Sequence, residues 1–182
     1  MGSHQSIGSR EVQAAVARLA AGIRGRRRPS ADLWLLGIAN GGIALAHRLA
    51  LELQGGGQPI RVGTIDISFH RDDIARRPIP KEFAPTLLPG DVTGSSVILV
   101  DDVLHTGRTA KAALDELFDH GRPERVELAV LVDRGGRLLP VAADHVGVQL
   151  EAGPDEEVAV VLDAEHPDRD AIRVGPARSL RT

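Results

Sequence analysis

The sequence predicts an α/β fold, a parallel sheet flanked by helices with a small irregular hood. Short apolar runs of strand length alternate with segments whose apolar residues recur at helical spacing. Glycines stand where strand gives way to helix, as a βαβ beginning requires. The chain has 182 residues, 42% of them hydrophobic and 26% charged, enough to bury one core and too apolar for wholesale disorder.

Val12, Val16, Leu19 and Ile23 share one helical face, and Gly25 and Pro29 end that helix. Leu33 to Ile38 is a short apolar run that reads as a buried strand. Gly41-Gly42 then opens a helical pattern of Ile43, Ala46, Leu49, Ala50 and Leu53, stopped by Gly55 to Gly57. Between Val62 and Phe69 apolar and polar residues alternate, the mark of a half-buried strand. From His70 to Pro89 the chain is charged and proline-rich, and a loop of that length is expected to be functional or mobile. Val97 to Val100 is a strand ending in Asp101-Asp102, followed by a helix carrying Ala110, Ala113, Leu114, Leu117 and Phe118. Val126 to Val132 is the next strand, Asp133 to Arg137 a turn, and Leu138 to Leu150 and Val158 to Leu162 supply shorter strands. Residues 10–182 read as a single domain. Residues 1–9, opening on Met1-Gly2-Ser3-His4, are expected to be disordered or partly a cloning remnant.

Composition excludes several chemistries. Three Phe, one Trp and no Tyr cannot build a stacking platform for single-stranded nucleic acid. Without Cys there are no disulfides, thiolate nucleophiles or zinc–sulfur sites, and a cytoplasmic setting is the expectation. Apolar stretches stay far below a membrane span, so no membrane partner is expected. His47, His120, His145 and His166 lack ligand spacing and are expected at the surface or satisfied in loops, with no zinc site.

The chemistry concentrates in Val97-Ile98-Leu99-Val100-Asp101-Asp102-Val103-Leu104-His105-Thr106-Gly107-Arg108-Thr109. Open α/β sheets gather ligands at the carboxyl ends of their strands. Two carboxylates at a strand tip suit hydroxyl groups or a hydrated cation, although by themselves they could equally be charges favouring a helix N-terminus. Thr106 to Thr109 offer hydroxyls and backbone N–H groups at the start of a helix, a phosphate cradle. The segment therefore asks for vicinal hydroxyls and a phosphate on one ligand, spaced as on ribose 5-phosphate.

This segment resembles the phosphoribosyl pyrophosphate (PRPP) signature of type I phosphoribosyltransferases. Gly37 to Ile43, Ser68 to Asp73 and Leu131 to Gly135 extend the resemblance, and the combination of Arg71-Asp72-Asp73, Val100 to Thr109, Gly121-Arg122-Pro123 and Val130 to Gly135 narrows it to the PyrR family of pyrimidine operon regulators that double as uracil phosphoribosyltransferases. It implies the type I phosphoribosyltransferase fold and transfer of phosphoribose from PRPP to uracil, giving UMP and diphosphate. It implies Mg²⁺ as cofactor, binding of an mRNA leader with UMP as co-ligand, and a homodimer or higher assembly. By the same resemblance Asp101 and Asp102 hold the ribose hydroxyls, directly or through Mg²⁺, and Thr106, Gly107, Arg108 and Thr109 hold the 5-phosphate. Ala39, Asn40, Gly41 and Gly42 meet the diphosphate with Arg71 from the mobile loop, while Val132, Asp133 and Arg134 lie near the base.

Three departures stand out. Asn40-Gly41 replaces the threonine–arginine pair that many relatives carry. His105 stands where pyrimidine enzymes often have Tyr and purine enzymes an acid, so it is either a proton acceptor for the base or a turn histidine. For RNA, Arg18, Arg26, Arg27, Arg28 and Arg137 are available, but Ala17, Ala21 and Gly136 occupy positions where relatives often place Thr, His and His. Asp133-Arg134 reads equally as a turn with a surface ion pair. Transfer to a purine base, or an RNA-binding attenuator with little catalysis, are the competing readings.

Overall fold

The computed structural model describes residues 5–26, 32–55, 59–68 and 85–176. Their elements run β1 (Gln5–Ile7), α1 (Ser9–Arg26), β2 (Leu33–Ile38), α2 (Ala39–Leu53), β3 (Ile60–Ile65), β4 (Ser96–Leu104), α3 (Arg108–Asp119), β5 (Arg125–Asp133), β6 (His145–Gln149), β7 (Glu156–Val161) and β8 (Ala171–Pro176).

Five strands form a sheet ordered β3-β2-β4-β5-β6, with every neighbouring pair parallel. Parallel strands need crossovers, and crossover helices cover the faces, so the inner strands read as unbroken apolar runs. All six residues of β2 are buried. One face carries α1 and α2, packing Val12, Leu19, Ile23, Leu45 and Leu49 over Leu35, Ile98 and Leu131. The other carries α3, with Ala113 and Leu117 over Leu36, Leu99 and Val130.

Boundaries differ from expectation in three places. β4 does not stop at Val100: Val103 pairs with Val132 and Leu104 with Asp133, so both acids lie inside a strand. β3 ends at Ile65 rather than Phe69, and the chain returns at Leu87 to pair antiparallel with Thr64. Between Leu138 and Leu150 only His145–Gln149 is strand. The expected mobile loop falls mostly on residues 69–84, outside the described residues.

The hood is more regular than expected. β1, β8 and β7 make an antiparallel sheet with β8 in the middle. Residues 5–7, expected to be disordered, pair with Ile172 to Val174. Arg48 of α2 anchors this sheet to the rest of the fold: its guanidinium bonds both carboxylate oxygens of Asp170, and it donates to the carbonyl of Asp163. Asp170 has a fully buried side chain and also accepts the N–H of Asp163 at 2.9 Å.

His145 corrects the expectation of surface histidines. It is buried, Gly22 of α1 lies against its ring, and its Nε2 makes no hydrogen bond, with Glu127 Oε1 3.7 Å away. Burial holds its pKa below the ordinary value, outweighing Glu127, which raises it; Arg26 and Arg125 lower it further and Asp144 opposes them. A histidine whose pKa is depressed by folding contributes stability above its unfolded pKa of about 6.5 and loses it as pH falls through the folded value. The urea midpoint is therefore expected to fall between about pH 7 and pH 5. His145→Gln should flatten that dependence; an unchanged slope in the variant would refute the assignment.

Candidate active site

The carboxyl ends of β2 and β4 meet the first turns of α2 and α3. α2 begins at Ala39, immediately after β2, so Ala39 to Gly42 form a helix N-terminus and not a separate glycine turn. Ala39 has φ of 47°, alone among the described non-glycine residues in being positive, and residues so held cluster at ligand sites. The glycines that follow allow two backbones to touch. A Cβ on Gly41 would lie 2.2 Å from Asp102 Oδ2, and one on Gly42 would lie 2.1 Å from the carbonyl oxygen of Val100. No side chain caps this helix and no acid stands in its first turn, so its amides and dipole favour an anion. Nothing is described for the Asn40 side chain.

Asp101 is buried and Asp102 half-buried. Asp101 Oδ1 accepts the N–H of Asp102 at 3.0 Å, and Asp102 Oδ1 accepts that of Val103 at 2.8 Å. Among the described residues neither carboxylate has a cationic partner within ion-pair distance. Burial pushes Asp101 well above the usual carboxylate range, and the neighbouring Asp102 charge adds to it. Burial also raises Asp102, against the Asp101 side chain and the backbone N–H bonds, which favour its ionised form. Two adjacent, uncompensated carboxylates fit a hard divalent cation that takes its remaining oxygens from a substrate, and no cluster of three or more ligating side chains exists among the described residues.

Thr106 to Thr109 form the turn into α3. Gly107 is the N-cap at φ 91° and offers no capping side chain, while Thr106 Oγ1 accepts the N–H of Arg108 at 3.3 Å. The carbonyl of Thr106 accepts two N–H groups, from Leu138 and Leu139, at 3.0 Å each. The turn is therefore fixed from behind while its helix N-terminus faces outward. His105 is exposed, and its Nε2 lies where a Cβ on Gly136 would come within 2.8 Å. Partial burial, then the charges of Arg134 and Arg137, lower its pKa.

The residues after β5 are more occupied than their spacing suggests. Val132 is buried. Asp133 accepts the N–H of Gly135 at 2.9 Å and pairs with Arg137 at 2.6 Å. The turn with an ion pair is thus present, its cation being Arg137 rather than Arg134. Arg134 is buried, donates to the carbonyl of Gly153 at 3.2 Å and leaves Nε without a partner. Of the arginines expected to meet RNA, Arg18 donates to Gly147 at 3.0 Å and Arg26 pairs with Asp144 at 3.6 Å, both toward the β6 edge. Arg27, Arg28 and the catalytic candidate Arg71 lie outside the described residues. Spacing gave no sign of the Val100 carbonyl, of Gly153 or of the Arg48–Asp170 pair, because each is brought in across the fold.

The phosphoribosyl transferase domain family matches residues 6–165. The bifunctional protein PyrR of Roseiflexus sp. is 44% identical over 164 residues, covering 89% of each chain. That of Streptomyces coelicolor is 46% identical over 167 residues, 91% of this chain and 86% of the relative. In structure, a hypoxanthine-guanine phosphoribosyltransferase from Bacillus anthracis superposes with a TM-score of 0.67 at 22% identity, covering 85% of this chain and 86% of the other. The hypoxanthine phosphoribosyltransferase of Trypanosoma cruzi gives 0.65 at 21%, covering 93% and 94%. Identity that low speaks to the fold alone. The PyrR matches run through both helix N-termini and the paired acids at over 40% identity, and on that ground the chain belongs to the PyrR family of phosphoribosyltransferases.

Proposed function

We propose that this chain transfers the phosphoribosyl group of PRPP to uracil, forming UMP and diphosphate, and that residues 10–182 act as one domain in doing so. The observation that carries this is the contact of Gly41 with Asp102, which brings the uncapped N-terminus of α2 against the pair of carboxylates that leads into the uncapped N-terminus of α3. A ligand spanning them needs two anionic groups flanking a diol. PRPP has that shape.

In this reading Asp101 and Asp102 accept hydrogen bonds from the ribose hydroxyls and fix the sugar. The amides of Thr106 to Thr109 and the two threonine hydroxyls hold the 5-phosphate, and the first turn of α2 receives the diphosphate. Asp101 and Asp102 would hold Mg²⁺, directly or through water, and the ion would supply charge neutralisation for the diphosphate leaving group. As the bond from ribose C1 to the diphosphate oxygen lengthens, positive charge grows on C1 and the ring oxygen. The two carboxylates stabilise it, while the helix termini stabilise the leaving group. Uracil N1 attacks C1 and gives up its proton. His105, whose pKa is lowered by partial burial and then by the charges of Arg134 and Arg137, accepts that proton.

Family membership also supports the regulatory half, binding of an mRNA leader with UMP as co-ligand, in a cytoplasmic homodimer or larger assembly. Arg18 and Arg26 supply phosphate contacts beside β6.

The test offers uracil, hypoxanthine, guanine and orotate separately with PRPP and Mg²⁺. Turnover of uracil alone is expected, and turnover of a purine in its place would overturn the base assignment. A salt-dependent shift of the organism's pyrimidine leader transcript, tightened by UMP, is expected for the RNA half; no binding at low salt would remove it.

A further inference from the structure

Beyond Leu104 and Asp133 the ladder between β4 and β5 ends, yet the two chains stay joined. Arg137 joins them. Its Nε donates to the carbonyl of Val141 at 3.1 Å, and one terminal nitrogen faces the carbonyls of Leu104 (3.2 Å), His105 (2.6 Å) and Gly135 (3.2 Å). The other pairs with Asp133 at 2.6 Å. The Arg137 side chain is about four-fifths buried, and its rigid fork of five N–H donors suits such convergence of acceptors. Leu104 and His105 immediately precede Thr106, whose own carbonyl is held by Leu138 and Leu139. Leu139 and Val141 also pack against Gly107. Every backbone carbonyl from Leu104 to Thr106 is thus bonded to the turn after β5, and Arg137 supplies the one charged donor.

We propose that Arg137 is a positioning residue for the phosphoribosyl site. It fixes the carbonyls of Leu104 and His105 and thereby sets where the Thr106 to Thr109 amides point. The role is separate from RNA contact, because the guanidinium donors face inward onto the enzyme's own backbone. Asp133 completes the unit by holding the guanidinium and the Gly135 N–H at once. Its functional consequence rests on the PRPP reading above, while its geometric content does not.

The test compares wild type, Arg137→Gln and Arg137→Lys in the full chain by amide hydrogen exchange without ligand, and by steady-state kinetics with PRPP and base varied separately. Arg137→Gln is expected to speed exchange over residues 104–111 with the sheet and α1 unchanged, and to raise KM for PRPP about tenfold with KM for the base within about twofold. Lys has a compact charge with fewer, differently placed donors, so Arg137→Lys should recover only part of the loss. If Arg137→Gln does not fold, the lysine variant alone decides by the same readouts. Three results would overturn the proposal: unchanged exchange at 104–111 with unchanged KM for PRPP; a general rise in exchange with both KM values affected alike; or weakened RNA binding as the only effect. Should the wild type turn over no base with PRPP, the PRPP reading fails, and the exchange pattern by itself decides the positioning role.

Discussion

Asp101→Asn is expected to lower kcat/KM for PRPP on the order of 10²-fold while leaving thermal stability equal or higher. A hydrogen bond to a charged acceptor contributes about 1.5–3 kcal/mol, and each 1.4 kcal/mol is a tenfold change in rate. The carboxylate also offers a cation ligand that an amide replaces poorly, so the upper half of that range applies. Stability moves the other way because burial disfavours the ionised form of Asp101 and Asp102 repels it, with no cationic partner among the described residues. Asn keeps the shape and can still accept the Asp102 N–H through its amide oxygen. The two readouts are needed together. A drop in activity with a matching drop in melting temperature would point to damage to the strand, and kcat/KM within threefold of wild type would remove Asp101 from the site.

The largest expected loss of stability comes from Arg48→Met. Removing one partner of a buried ion pair costs about 3–5 kcal/mol, because the remaining charge has neither water nor counter-ion. Asp170 has a fully buried side chain and would keep only the N–H of Asp163. For a chain of this size that cost corresponds to a fall in melting temperature of about 10 °C. The double variant Arg48→Met with Asp170→Asn should recover much of the loss, since the orphaned charge is gone. Equal melting temperatures for the single variant and the wild type would show that the pair is not a clamp. Because Arg48 belongs to the helix whose first turn is proposed to receive the diphosphate, weaker PRPP binding is expected alongside.

How much of this was legible in the sequence depended on distance along the chain. β2 and β4 were readable because burial on both faces demands continuous apolar runs, which Leu33 to Ile38 and Val97 to Val100 are. The acids and the Thr106 to Thr109 turn were readable because they are contiguous. The end of β4 was not legible because charged residues suggest a stop, although nothing in Asp101 to Leu104 forbids extended backbone. α2 was started late because Gly41-Gly42 reads as a turn, when its purpose is contact with Val100 and Asp102. β1 escaped notice because its partner lies near the other end of the chain, at Ile172 to Val174. Arg137 shows the limit most plainly: an arginine in a glycine turn looks solvent-facing until the carbonyls around it are in place.

The strand order β1-β8-β7 also bears on synthesis. β8 is the middle strand of the hood and the last element of the described chain, so β1, made first, has nothing to pair with until residues 171–176 have left the ribosome. The parallel sheet with its acids and helix termini can form earlier, from residues 33–149. Nascent chains should therefore acquire the parallel sheet, with its acids and helix termini, before the antiparallel one, and the anchoring of the tail by Arg48 is a late event in the life of each molecule.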